Sequence, residues 1–146
     1  MSCIFCDIVA GKIPAEIVLR SEAAVAFLDH RPLFFGHVLL VPATHIETLA
    51  DLPGGQVGPF FQTVQKLERA VEQSLGAEGT FIAINNRVSQ SVPHLHVHIV
   101  PRHKGDGLKG FFWPRRKYES DRQFKETAEK LRASLQFPSA TDAKLI

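Results

Sequence analysis

Hydrophobic and polar positions change period several times along this chain, and each change marks an element. Glu16 to Arg20 alternates and predicts a strand; Ala24 to Leu28 predicts another. Gly36 to Pro42 is apolar on both faces except at His37, the pattern of a central strand covered on either side. From Gln56 to Leu75 the period lengthens. Phe60, Phe61, Val64, Leu67, Val71 and Leu75 fall on one stripe of a long helix, which Gly76 stops. Thr80 to Asn85 reads as a further strand. A polar loop, Asn86 to Pro93, then leads into strict alternation: Leu95, Val97 and Ile99 point to one face, and His94, His96 and His98 share the other. Pro101 lacks an N–H and should end this strand or place it at an edge.

Shorter signals fill the gaps. Cys6 to Ala10 makes a helical turn stopped by Gly11 and Pro14, and Asp29-His30-Arg31-Pro32 is a charged turn. Thr44 with Glu47 reads as the capping box of a short helix. Asp51 to Gly55 is the clearest break, Asp121 to Leu135 reads as a surface helix, and 138–146 as a loose tail. The expectation is an α+β fold: a largely antiparallel five-stranded sheet, one long helix and short helices, in a single domain over residues 1–137.

Composition narrows the function classes. The 146 residues are 45% hydrophobic and 22% charged, ordinary for one globular domain. A net charge of +2 gives no basis for a broad nucleic-acid or membrane surface. No apolar run approaches the ~20 residues of a membrane span. The first residues carry neither a basic region nor a long apolar one, so the expected location is cytoplasmic. The two cysteines, Cys3 and Cys6, form C-x-x-C. In a reducing compartment that spacing points to metal ligation or redox chemistry rather than a disulfide.

The histidine strand is the candidate site, because apolar residues would make a better strand face. A neutral imidazole is a nucleophile at pH 7. With one ring nitrogen donating to a carbonyl, the other presents a lone pair to an electrophile. Phosphorus is the natural target for His96, because His98, Gln90, Ser91 and Asn85 are at hand as donors to phosphate oxygens. Ser91 as nucleophile competes poorly, since Gln90 and Val92 flank it instead of the glycines of a nucleophile elbow.

His94-Leu-His96-Val-His98-Ile-Val100 resembles the His-x-His-x-His-x-x signature of the histidine triad (HIT) family. Gly36 to His45 resembles that family's preceding strand, and Phe27 to Pro32 its nucleotide-contact turn. The resemblance runs from about Cys3 to Arg102. It implies enzymes that attack an α-phosphate of dinucleoside polyphosphates or nucleoside phosphoramidates, His96 forming a nucleotidyl-histidine intermediate. By the same match His98 would contact the phosphate, and Gln90 and Ser91 the leaving group. Asp29 would bind ribose, Phe5, Ile17 and Phe27 would line the base pocket of a purine nucleotide, and Asn85 would lie near the phosphates. The resemblance also implies a homodimer whose sheets join. A zinc-containing branch of the family further implies that Cys3, Cys6, His45 and His94 hold a structural zinc, a set that suits tetrahedral Zn²⁺. No catalytic cofactor is implied.

One departure is clear: 85–90 reads Asn-Asn-Arg-Val-Ser-Gln, without the glycines common in that loop. The basic, aromatic stretch 103–118, containing Trp113, reads either as a lid over a polyphosphate or as a solvated loop. Competing readings are a phosphorylase, a nucleotide-binding regulatory protein with little turnover, and a zinc-stabilised nucleic-acid binder, which the charge disfavours.

Overall fold

The structure, a computed structural model, describes residues 3–109 and 115–136. Trp113 and the 138–146 tail lie outside the described residues. The chain divides into two compact units at Asp106/Gly107. The elements of the first are α1 (Ile4–Val9), β1 (Ile17–Arg20), β2 (Ala24–Leu28), β3 (Val38–Pro42), a 3₁₀ turn (Leu49–Asp51), α2 (Gly54–Leu75), β4 (Gly79–Ala83) and β5 (Val97–Arg102). The second contains α3 (Asp121–Gln136), where Phe124 and Leu135 are exposed.

All five strands pair antiparallel in the order β1-β2-β3-β5-β4. Side-chain alternation then sorts the core into two layers. Ala24, Ala26, Leu40, Leu95, Val97 and Ile99 pack with Phe60, Val64, Leu67 and Val71 of α2. Val25, Phe27, Leu39 and Val41 point to the other face, against Phe5 and Ile8 of α1. The histidines belong to this second face.

Two expectations differ in detail. The capping pair is Thr48 with Asp51, not Thr44 with Glu47: the Asp51 carboxylate accepts the Thr48 backbone N–H at 3.2 Å and its hydroxyl at 2.5 Å. Thr48 is nearly fully buried, so this bond satisfies a group that water cannot reach. The second difference is that β5 starts at Val97, after the first two triad histidines. The last β3 pair is Leu40↔Val97; continued, the register would set Val41 against His96 and Pro42 against Leu95, and Pro42 has no N–H to give. The chain before Val97 is held otherwise, by the Leu95 N–H donating to the Ile46 carbonyl at 2.6 Å. Pro101 sits where β3 has already ended beyond Val38↔Ile99, and its remaining partner is Thr80 of β4.

Candidate functional site: a histidine cluster beside a Cys₂His₂ group

The histidines and α1 border a cavity of about 720 Å³, a size suited to a small ligand. Phe5, Ile8, Phe27 and Leu39 make its apolar wall; Asp29, Ser91, His96 and His98 supply polar groups. Phe5 stands at the junction: its ring lies edge-on to Phe27 at 5.5 Å and to His96 at 5.2 Å between centroids. Of the residues expected at the site, Phe5, Phe27, Asp29, Ser91, His96 and His98 are brought together here. Ile17, Asn85 and Gln90 are not among the lining residues. Ile17 is half exposed on the edge strand β1, one residue past the lining Glu16.

Gln90 is spent on its own loop. Its amide donates to the Glu47 carbonyl at 2.7 Å, and its Oε1 accepts the Arg87 N–H at 2.7 Å. Arg87 (φ 66°) and Ser89 (φ 58°) are left-handed, a backbone costing a non-glycine residue about 1–2 kcal/mol. The loop therefore adopts the backbone that glycines would take freely, and Gln90 clamps it.

His96 is almost wholly buried, yet its ring lines the cavity. Its Nδ1–H donates to the His94 carbonyl at 2.7 Å. A carbonyl only accepts, so this bond fixes the proton on Nδ1 and leaves the lone pair on Nε2. The His98 ring is adjacent, 5.0 Å from His96 between centroids. Burial, with the charges of His96 and His37 adding and Asp29 opposing, pushes the His98 imidazole down to about 4. It is neutral at pH 7. Asp29 Oδ1 accepts the Arg31 N–H at 2.9 Å, fixing that carboxylate at the cavity's rim.

Cys3, Cys6, His45 and His94 converge next door, their donor atoms all within 4.8 Å of one another. The His94 Nε2–H donates to the Pro42 carbonyl at 2.9 Å, which turns the Nδ1 lone pair towards the sulfurs. Sγ of Cys3 and Cys6 lie 3.4 and 3.6 Å from that Nδ1, and Cys6 Sγ lies 3.3 Å from His45 Nδ1. The S···N edge of a tetrahedral zinc site is about 3.5 Å. The residues therefore fit a four-coordinate metal. Burial pushes the Cys6 thiol up, and the Cys3 thiol and the Asp7 carboxylate push it further; a cation in the cluster reverses that balance.

His37 was visible in the sequence only as the polar exception in an apolar strand. It is buried, and its Nε2 lies 3.0 Å from His98 Nδ1. Ile8, Ile13 and Leu39 also line the cavity; as ordinary apolar residues they carried no signal.

A five-stranded antiparallel sheet that carries a histidine triad on one face and a long helix on the other defines a class of protein. Residues 10–105 match the family model for the HIT domain, and the chain belongs to that family. It is 43% identical over 107 residues to a HIT-like protein of Methanocaldococcus jannaschii, covering 72% of this chain and 82% of that one. It is 34% identical over 116 residues to the adenosine 5'-monophosphoramidase of Schizosaccharomyces pombe (78% of this chain, 84% of the relative). It is 34% identical over 100 residues to the asymmetrical bis(5'-nucleosyl)-tetraphosphatase of the same organism (66% of this chain, 55% of the relative). Among solved structures, a HIT family member from Bacillus subtilis superposes with a TM-score of 0.82 at 31% identity, covering 96% of this chain and all (100%) of the other. A zinc-bound histidine triad protein from Mycobacterium smegmatis gives 0.70 at 38% identity, covering 92% and 98%. No helix among the described residues is long and apolar enough to cross a membrane.

Proposed function

We propose that this protein is a nucleotide hydrolase or transferase acting at the α-phosphate of dinucleoside polyphosphates or nucleoside phosphoramidates. The observation that carries the reading is the His96 ring, held as the Nδ1–H tautomer by the His94 carbonyl at 2.7 Å and lining a cavity of about 720 Å³ with Asp29 at its rim. The phosphoramidase and the tetraphosphatase among the relatives support it. A purine packs on Phe5 and Phe27, and Asp29 accepts ribose hydroxyls. His96 Nε2 attacks phosphorus; the P–N bond forms as the bond to the leaving oxygen or nitrogen breaks. The leaving group departs with a proton drawn from solvent, while the neutral His98 ring serves only as a hydrogen-bond partner to a phosphate oxygen. Water then attacks phosphorus, giving a proton to solvent as the P–N bond breaks, and neutral His96 is regenerated with release of a nucleoside monophosphate. Ser91 Oγ lies on the cavity wall as a donor to the departing group. Gln90 serves by holding the loop above it, through the Glu47 carbonyl and the Arg87 N–H.

We further propose that Cys3, Cys6, His45 and His94 hold a structural zinc, because all four positions would be filled by protein donors and none is left for substrate. When bound, the ion pins the chain before α1 to the segment that carries the nucleophile. The working unit is taken to be a homodimer in the cytoplasm.

The test is turnover of diadenosine tri- and tetraphosphate and an adenosine phosphoramidate by the wild type and by His96→Ala. The wild type should release AMP, and a nucleotidylated peptide containing His96 should be trapped by rapid acid quench. His96→Ala should keep its fold and lose turnover; normal activity in it would refute the assignment. Inorganic phosphate as acceptor with ADP as product would make the enzyme a phosphorylase. Tight AMP binding without any turnover would make it a binding protein.

A further inference from the structure

We propose that Arg87 is a specificity-determining residue: its guanidinium pairs with the phosphates of the leaving group, so that substrates with a polyphosphate chain are favoured over those whose leaving group carries none. The assignment rests on the reaction proposed above and separates its two substrate classes.

The cavity itself offers little positive charge. Its lining includes two acidic residues, Glu16 and Asp29, and neither a lysine nor an arginine. The His98 ring there is neutral at pH 7. A dinucleoside polyphosphate brings negative charge on every phosphate, whereas a phosphoramidate brings it on a single one. Cations for the longer chain must therefore come from the segments that flank the lining. Lys12 is paired with Asp7 at 3.6 Å, and Arg20 donates to the Val9 carbonyl at 2.8 Å. Arg31 follows Asp29, at the ribose. Arg87 belongs to the loop that runs into the lining residues Ser91 and Val92, where the leaving group departs.

That loop holds Arg87 in a backbone it does not favour. Its φ is 66°, which glycine adopts freely and a residue with a Cβ resists. Three hydrogen bonds keep it there. The Arg87 N–H donates to Gln90 Oε1 at 2.7 Å, the Leu49 N–H donates to Asn86 Oδ1 at 2.8 Å, and the Val88 N–H donates to the Asn86 carbonyl at 2.8 Å. None of them uses the arginine side chain, so a glycine would keep the clamp and relieve the backbone. Strain retained beside a cavity points to a use for the side chain that causes it.

The side chain is free for that use. Arg87 is exposed, and among the described residues its guanidinium has neither an ion pair nor a hydrogen bond. A guanidinium is always charged, and its fork of N–H donors matches two phosphate oxygens. It supplies the charge that the lining lacks, from a Cα that the loop has already fixed.

The experiment compares Arg87→Gly and Arg87→Lys with the wild type, each as the full chain. Glycine removes the charge and eases the backbone, so folding is not at risk. The readout is the ratio of kcat/KM for diadenosine tetraphosphate to that for an adenosine phosphoramidate. In Arg87→Gly this ratio should fall about 10- to 50-fold, the size of a charge-assisted contact, mainly through KM. Arg87→Lys keeps the charge and should lose less. Added salt should lower the ratio in the wild type and leave it unchanged in the glycine variant. A ratio within about two-fold of wild type in Arg87→Gly would overturn the proposal. Equal losses in the glycine and lysine variants would also overturn it, since the charge would then play no part. Calorimetry reads the same contact without turnover: the wild type should bind adenosine 5'-tetraphosphate about 10-fold more tightly than AMP, and Arg87→Gly should bring the two affinities together. Equal affinities in the wild type would sink the assignment. A wild type inactive on both substrates would refute the proposed reaction alone, and the calorimetry would still decide Arg87.

Discussion

Acid should weaken this fold through His98, by an amount the structure sets. Burial, assisted by His96 and His37 and opposed by Asp29, brings that imidazole to about 4, against about 6.5 in an unfolded chain. Between those values the unfolded chain binds a proton that the folded chain refuses, so stability rises with pH there. The contribution is complete above about pH 6.5, is lost as pH falls, and levels off below about 4. A gap of about 2.5 units at 1.36 kcal/mol each corresponds to roughly 3 kcal/mol, a large share of the 5–15 kcal/mol typical of a domain. The perturbation is His98→Gln, which keeps a polar side chain but removes the titration. The assay is urea unfolding of both proteins from pH 7.5 to 4.5, at constant ionic strength and with chelator present throughout. His37 and His94, also lowered by burial, are common to both proteins, so the difference between the two curves isolates His98. The wild type should lose stability on acidification by about 2–3 kcal/mol more than the variant, with m unchanged. Parallel curves, or an NMR titration of His98 near 6.5, would refute the burial argument.

Three further outcomes follow from the same coordinates. Chelation should strip one zinc per chain, lower Tm by about 5–10 °C and speed amide exchange in α1, since a helix that short is unstable alone; unchanged exchange there would show that the thiols do not anchor it. Phe5→Leu removes the ring that packs 5.5 Å from Phe27 while keeping apolar bulk; by calorimetry AMP affinity should fall about 5- to 10-fold, and an unchanged affinity would place the base elsewhere. Gly36→Ala should cost about 1–2 kcal/mol in chemical denaturation, because φ is +96°. The added Cβ would also meet Leu75 Cδ1, which adds little, since Leu75 is half exposed and can turn away; an unaltered midpoint would show that the turn relaxes.

The sheet and the long helix were legible in the sequence because their patterns were long and one-sided. Alternation put Leu95, Val97 and Ile99 together on the face opposite the histidines, and that face packs against α2. Boundaries were less legible, for reasons outside the local pattern. The pair Thr44–Glu47 has the right spacing for a capping box, but the 3₁₀ turn begins at Leu49 and the capping falls to Thr48 and Asp51. The histidine strand looked continuous from His94, but its pairing with β3 goes no further than Leu40↔Val97, and the Leu95 N–H turns instead to the Ile46 carbonyl. Within the site, the sequence named the histidines facing the cavity without ordering their protons. That order depends on the Leu33 N–H, the His94 carbonyl and the His37 ring, and backbone groups have no signature in a list of side chains.

His94 explains why the Cys₂His₂ group and a candidate nucleophile share one short segment. Its imidazole Nδ1 faces the two sulfurs, its Nε2–H is fixed by the Pro42 carbonyl at 2.9 Å, and its own carbonyl holds the His96 proton at 2.7 Å. A ring fixed on both nitrogens cannot rotate without dragging its backbone, and that backbone carbonyl is what selects the His96 tautomer. The sulfurs in turn flank Phe5, whose ring lies 6.0 Å from His94 and 5.2 Å from His96 between centroids. Binding a cation at the Cys₂His₂ cluster would therefore stiffen the cavity wall and the nucleophile's partner together, with no contact between the ion and the substrate. On that account the cluster contributes to the chemistry only by limiting motion. Loss of metal should then raise KM for a nucleotide and broaden the His96 ring signals, while leaving the pH at which His98 titrates unchanged.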